Sequence, residues 1–332
     1  MDTITSIVQL TLRLTAPYLL LTLGGLFAFK TNIFNLSLDG FGIFGCFISV
    51  TGAFYTGSVF MGVIFAVLST SLLALLYAVF VLELKVEPIV CSLAFIAICG
   101  GLTRFLLEPV LGAKGRFLMD SAYALRQVNV PFLEKIPYVG PLFNNQTPLV
   151  YIALLSVVLI HILLYRTKFG FQLRMVGLNE EAAVASGINI KGVRYICLLL
   201  NGMFCGLAGA QMALPLNMFN VGMTDGRGFT AVVILMLSDS RPIPAFLASL
   251  MFGFSESMVL RLSGYGFSSQ ILGMLPYVMA FIFAILPFAL KITRLHIKRR
   301  NAKRNYMIPA GKPPEDIKEM SINEHNEERK KK

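Results

Sequence analysis

At 332 residues, 56% hydrophobic and only 14% charged, with a mean hydropathy of +0.71, the chain sits far from a soluble domain, in which about 25% of residues are charged. Recurring apolar runs exclude a cytosolic enzyme, a disulfide-stapled secreted domain and a nucleic-acid binder, and indicate an all-α polytopic membrane protein. The net charge is +11, but residues 291–332 hold 13 Lys/Arg against 6 Asp/Glu while residues 1–290 hold 16 against 12, so most of the excess lies in the last 42 residues.

About 20 apolar residues cross a hydrocarbon core of about 30 Å as a helix. The pattern predicts spans near 5–29, 40–54, 59–82, 88–109, 148–165, 193–216, 229–238, 244–261 and 269–290. That is about nine, or 8–10 depending on whether the short segments at 30–40 and 229–238 are re-entrant. No Lys or Arg precedes the first run and no small-residue cleavage site follows it, so Thr5 to Phe29 reads as a membrane helix rather than a signal peptide. Lys298, Arg299, Arg300, Lys303 and Arg304 directly follow the last span and place the C-terminal tail in the cytoplasm. Counting back puts the 166–194 loop inside, and the 110–147 loop, with Pro131, Pro137 and Pro141 and with Pro148 at its edge, outside together with the N-terminus. Residues 1–290 thus form one membrane domain and 291–332 a basic tail. The last 20 residues of that tail are too polar to fold alone.

Near the first break, Phe34-Asn35 and Asp39-Gly40-Phe41-Gly42 are echoed by Phe219-Asn220 and Asp225-Gly226-Arg227-Gly228. Each copy precedes a short apolar run. Paired glycine-interrupted segments in two halves point to broken helices and an inverted repeat around a transport site. Freed backbone at such breaks needs protein or a watery cavity around it. Asn35, Asp39, Gly40, Asn220, Asp225, Gly226 and Arg227 are therefore candidates for the translocation pathway. The same residue types also mark ordinary helix ends.

The loop Asn179-Glu180-Glu181-Ala182-Ala183-Val184-Ala185-Ser186-Gly187 reads as a short surface helix. Asn179 is a good N-cap, the glutamates sit on the positive end of the helix dipole, and Gly187 suits the C′ position. Its small residues would let a cytoplasmic partner approach closely. Of the other charges in or near spans, Arg104 and Glu108 are spaced to pair on one helix face near its outer end, where charged side chains can snorkel, Arg261 lies near a span end, and only Arg13 and Glu256 lie deep. Cys46, Cys91, Cys99, Cys197 and Cys205 read as buried hydrophobes. The scattered His161, His296 and His325 form no metal motif, and no GxxxxGK[ST] loop is present, so ATP would have to be hydrolysed on another polypeptide.

Glu181-Ala182-Ala183 followed after three residues by Gly187 resembles the EAA-xxx-G loop of ABC importer permeases, and Phe34 to Gly40 resembles the FNIGxEG stretch of their simple-sugar and nucleoside branch. Val176 to Asn179, Asn201-Gly202, Gly206 to Ala210 and Gly226 to Ala231 follow in the same order, and the resemblance covers roughly residues 10–290. Ser37 stands where glycine is usual, Asp39 where glutamate is usual, and Ser238 to Pro242 replace a glycine-containing turn. The resemblance implies a permease subunit in a bacterial cytoplasmic membrane that carries a small hydroxyl-rich solute, a nucleoside or simple sugar, inward. It implies that the chain binds no cofactor itself. ATP and Mg would bind on partner ATPase subunits, beside a second permease of the same fold and an extracytoplasmic solute-binding protein or lipoprotein. A self-sufficient ion-coupled secondary transporter is the alternative reading, and an intramembrane enzyme a remote one.

Overall fold

The structure, a computed structural model, describes residues 2–120, 124–129 and 143–265 together with Met274, Leu275, Val278 and Phe281. Apart from those last four positions, the span expected at 269–290 and the tail at 291–332 lie outside the described residues, as do Pro131, Pro137 and Pro141.

Among the described residues, seven helices are long and apolar enough to cross a membrane. They are α1 (Asp2–Lys30), α2 (Leu38–Thr56), α3 (Val59–Leu82), α4 (Pro88–Leu111), α5 (Pro148–Arg166), α8 (Ile190–Ala213) and α10 (Pro242–Leu262). Between them lie the short α6 (Lys168–Leu178), α7 (Glu180–Ala185) and α9 (Arg227–Leu237). Eight of the nine expected spans are therefore helices. The sixth begins earlier than expected, at Ile190 with Asn189 as its N-cap, and its last residues Leu214–Leu216 tighten into a 3-10 turn at Pro215, which supplies no N–H for an α-helical bond. Two short strands, β1 (Arg116–Leu118) and β2 (Met218–Asn220), pair antiparallel with Phe117 opposite Phe219. The apolar periodicity of spanning helices carries no sign of this ribbon.

Side-chain contacts sort the chain ends. Lys30, Glu83, Lys191, Arg194 and Asp239 meet at the end that carries α6 and α7. Tyr55, Val110, the β-ribbon and Asn217 meet at the other. Helix α1 therefore runs opposite to α8, and α2 opposite to α9. Helix α8 packs on α3 and α2 as α1 packs on α10 and α9, and the pairs α1·α8 and α2·α9 pack on each other. Exchanging α1 with α8, α2 with α9 and α3 with α10 leaves this pattern unchanged, which is the relation an inverted repeat requires. Contacts at the centre are close because small residues line them. A Cβ at Gly209 of α8 would lie 2.6 Å from the Cys46 nitrogen of α2. The backbones of α2 and α8 therefore meet without an intervening side chain, the way helices pack where lipid offers no hydrophobic driving force.

Candidate functional site

Helix α2 begins inside the bundle after an extended segment, and α9 is too short, at 11 residues, to span alone. Their N-termini face each other. Asp39, in the first turn of α2, accepts the Gly228 N–H through Oδ1 at 3.0 Å and the Thr224 hydroxyl through Oδ2 at 3.2 Å. Helix α9 has Gly226 at its N-cap and no side-chain cap of its own, so Asp39 caps it from another helix. A Cβ at Gly228 would collide with the Asp39 backbone, so only glycine permits this approach. The partly buried carboxylate lies between two positive helix ends, whose dipoles favour a negative charge there.

The extended segment before α2 is held by Asn35. Its buried Oδ1 accepts from the Ser37 N–H at 2.8 Å, the Ser37 hydroxyl at 2.6 Å and the Ser92 hydroxyl of α4 at 3.2 Å. Leu36 donates its N–H to the same Ser92 hydroxyl. The break in the first half is thereby tied to α4.

On the ribbon side of the junction lies a cavity of ≈ 700 Å3 whose polar lining includes Arg13, Thr147, Gln211, Asn220, Asp225, Arg227 and Glu256. Arg227 pairs with Glu256, donates to the Met223 carbonyl at 3.0 Å, and lies over the Tyr18 ring at 5.9 Å from its centre. Arg13 binds the Asn145 carbonyl at 2.9 Å and the Gln146 side chain at 3.2 Å. A smaller cavity of ≈ 220 Å3, between α2, α4 and the 221–224 segment, is lined by Asp39, Gly100, Gly101, Arg104 and Thr224. Gly222 lines both, so the 220–226 segment is the wall between them.

At the opposite end, the Asn179 side chain accepts the Ala182 N–H at 3.0 Å and starts α7, six residues that end before Gly187 at φ +74°. Glu181 and Val184 project outward. Glu180 pairs with Arg194 of α8, and the same guanidinium donates to the Thr31 carbonyl at the end of α1. Lys191 pairs with Glu83 at 2.8 Å and holds that carboxyl below the usual carboxylate range. Helix α7 is thus wired to α8, to α1 and, through α8, to the α3–α4 turn. Beside it a groove of ≈ 550 Å3 is lined by Tyr165, Arg166, Lys168, Phe171, Arg174 and Ser186.

Several expectations change. Asn35 was expected to line the pathway but is fully buried as a turn anchor and lines neither cavity. Gly40 packs against the α4 backbone, where a Cβ would lie 2.8 Å from Ile96 Cα. Asn220, Asp225 and Arg227 do line the larger cavity, and Gly226 sits beside them at φ +73° as the N-cap of α9. Ala183, expected to receive a partner, is fully buried against its own chain. Glu108 pairs with Lys114 at 3.1 Å rather than with Arg104, because the chain turns back after Gly112 and brings the lysine over it. The Arg227–Glu256 pair, the Asn35–Ser92 tie and the Glu180–Arg194 tie join residues on different elements, and no spacing in the sequence signals them.

A spanning-length helix that begins inside the bundle and a short helix, meeting N-terminus to N-terminus beside a polar cavity, are the architecture of a membrane transport protein. The family model described as branched-chain amino acid transport system / permease component matches residues 7–290, and the chain belongs to that family. It is 31% identical over 302 residues to the nucleoside ABC transporter permease protein NupC of Lactococcus lactis, covering 85% of this chain and 92% of that one. It is 30% identical to the guanosine ABC transporter permease protein NupQ of Bacillus subtilis, covering 76% and 81%. It is 27% identical to the putative glucose ABC transporter permease protein TsgC13 of Haloferax volcanii, covering 76% of each. No solved structure matches the chain.

Proposed function

We propose that this chain is the membrane-spanning permease subunit of an ATP-binding cassette importer that carries a nucleoside inward. The observation that supports it best is the Asp39-capped junction of α2 and α9 beside a polar cavity, in a chain similar to nucleoside and guanosine permeases over most of its length. Lys30, Lys85, Arg166, Lys168, Arg174 and Arg241 gather at the α6–α7 end, which supports reading that end as the cytoplasmic one and the ribbon end as the external one.

In this reading an ATPase subunit docks on Glu181, Val184 and the groove beside α7, and ATP with Mg binds there rather than on this chain. Closure of the ATPases moves α7, and the Glu180–Arg194 and Arg194–Thr31 links pass that motion to α8 and α1, the helices that flank the junction. The permease needs only two packings of similar energy, and the differential affinity of ATP for the closed ATPases supplies the bias. Solute enters the ≈ 700 Å3 external cavity from an extracytoplasmic binding protein or lipoprotein, and a second permease of the same fold completes the membrane unit.

The test is uptake of labelled guanosine, uridine and glucose into ATP-loaded vesicles holding the chain with its co-purifying subunits. Saturable, ATP-dependent nucleoside uptake that excess glucose leaves unchanged is the expected result. Uptake of glucose alone would move the substrate to sugars, and uptake without ATPase subunits would replace the reading with a secondary transporter.

A further inference from the structure

Among the described residues, the charged side chains within the spanning helices are neutralised or bonded within the chain, apart from Arg104 and from Arg166 at the very end of α5. Arg13 holds Asn145 and Gln146, Arg227 holds Glu256, Arg261 holds Ser6, Lys30 holds the Asp239 carbonyl, and Arg194 holds Glu180. Arg104 differs. It lies seven residues before the end of α4, roughly 10 Å inside the helix at ~1.5 Å per residue, is exposed, and has no hydrogen-bond or ion-pair partner among the described residues. An unpaired guanidinium at that depth in hydrocarbon costs several kcal/mol, so such groups face water, protein or ligand.

Its surroundings say which. Gly100 and Gly101, one turn back on the same face, have open space above them. Side chains on a helix tilt toward its N-terminus, which directs Arg104 toward the junction rather than the external surface. It lines the ≈ 220 Å3 cavity with Asp39 and Thr224. That volume falls short of the ~300 Å3 at which small-molecule sites begin. A nucleoside held there would extend beyond the cavity over the open faces of Gly100 and Gly101. Asp39 uses two acceptor positions on Gly228 and Thr224 out of about four on a carboxylate, leaving capacity toward a solute.

Resting on the nucleoside reading above, we propose that Arg104 is a solute-contacting, specificity-determining residue, its planar fork of donors gripping the adjacent acceptors of a guanine-type base while Asp39 accepts from the sugar hydroxyls. A guanidinium matches guanine O6 and N7 in bidentate fashion, whereas the uracil ring offers no such adjacent pair.

The experiment uses the assembled complex in vesicles. Arg104→Gln and Arg104→Lys are expected to raise the guanosine concentration for half-maximal uptake by roughly 5- to 150-fold relative to uridine, with basal ATP hydrolysis kept. The lysine variant should fail with the glutamine one, because it keeps the charge but not the fork. Glu108→Gln, outside the cavity, should behave as native. Equal loss for guanosine and uridine together with loss of hydrolysis would make Arg104 structural, and native behaviour of both variants would overturn the proposal. All five native cysteines are buried, so Arg104→Cys can be labelled selectively. Labelling by a membrane-impermeant maleimide, slowed by guanosine, is expected, whereas labelling by a lipid-soluble maleimide alone would put the side chain in lipid and overturn the proposal. If the native complex carries no nucleoside, the functional reading fails, and water-side labelling of Arg104→Cys then keeps the residue in a pathway while removing the nucleobase assignment.

Discussion

Replacing Asp39 by alanine tests the junction most directly. The substitution removes the cap that α9 receives from α2 and leaves the Gly228 N–H and the Thr224 hydroxyl, both on buried residues, without their acceptor. Loss of an N-cap costs about 0.5–2 kcal/mol, and a buried donor left unsatisfied costs about 1–3 kcal/mol. These terms overlap, so the junction should weaken by about 2–4 kcal/mol, or roughly 30- to 700-fold in its opening equilibrium at ~1.4 kcal/mol per tenfold. Asp39→Asn keeps an acceptor for Gly228 and replaces the Oδ2 that accepts from Thr224 with an NH2 donor, to which the rotatable hydroxyl can turn as acceptor, so it should weaken the junction by about 1 kcal/mol. Amide hydrogen exchange of a peptide spanning 226–229, read by mass spectrometry in lipid nanodiscs, reports the opening. Gly228 should exchange faster by the stated factor in Asp39→Ala and by about tenfold or less in Asp39→Asn. Unchanged protection of that amide in Asp39→Ala would show that the carboxylate does not hold α9 and would refute the argument.

The remaining predictions concern single contacts. Arg227→Ala leaves Glu256 charged and largely buried and should lower stability by roughly 3 kcal/mol, while the double variant with Glu256→Ala should recover part of the loss, as thermal melting in detergent can measure. Gly209→Ala places a Cβ 2.6 Å from Cys46 N and the Gly42 carbonyl, so it should destabilise by about 1–3 kcal/mol, and unaltered melting would mean that α2 and α8 are not so close. Glu181→Arg should abolish co-purification of an ATPase subunit at unchanged melting temperature. Ala183→Arg should lower the melting temperature itself, because that position is fully buried.

Hydropathy fixes the number and length of apolar segments because a bilayer accepts only helices with internally satisfied backbone, and among the described residues seven spanning helices and the short α9 were legible from that alone. The Asn, Asp and Gly clusters at 34–42 and 219–228 marked both breaks, since those residues are needed wherever a helix must stop inside a bundle. Asn179 and Gly187 likewise framed α7 by capping chemistry. Each of these signals is local, carried by residues within a turn or two of one another. What faces what was decided elsewhere. Asp39 and Gly228 are 189 residues apart and Arg227 and Glu256 are 29 apart, and only the packing of α1, α2, α8 and α10 brings them together. The same packing turned Ala183 inward, converted Asn35 from a pathway candidate to an anchor, and gave Glu108 to Lys114 so that Arg104 was left unpaired. Composition and periodicity determine which segments lie in the membrane, because burial in lipid is an average property of a segment. Partner choice among polar side chains depends on distances of a few ångströms across helices, and those exist only once the helices have packed.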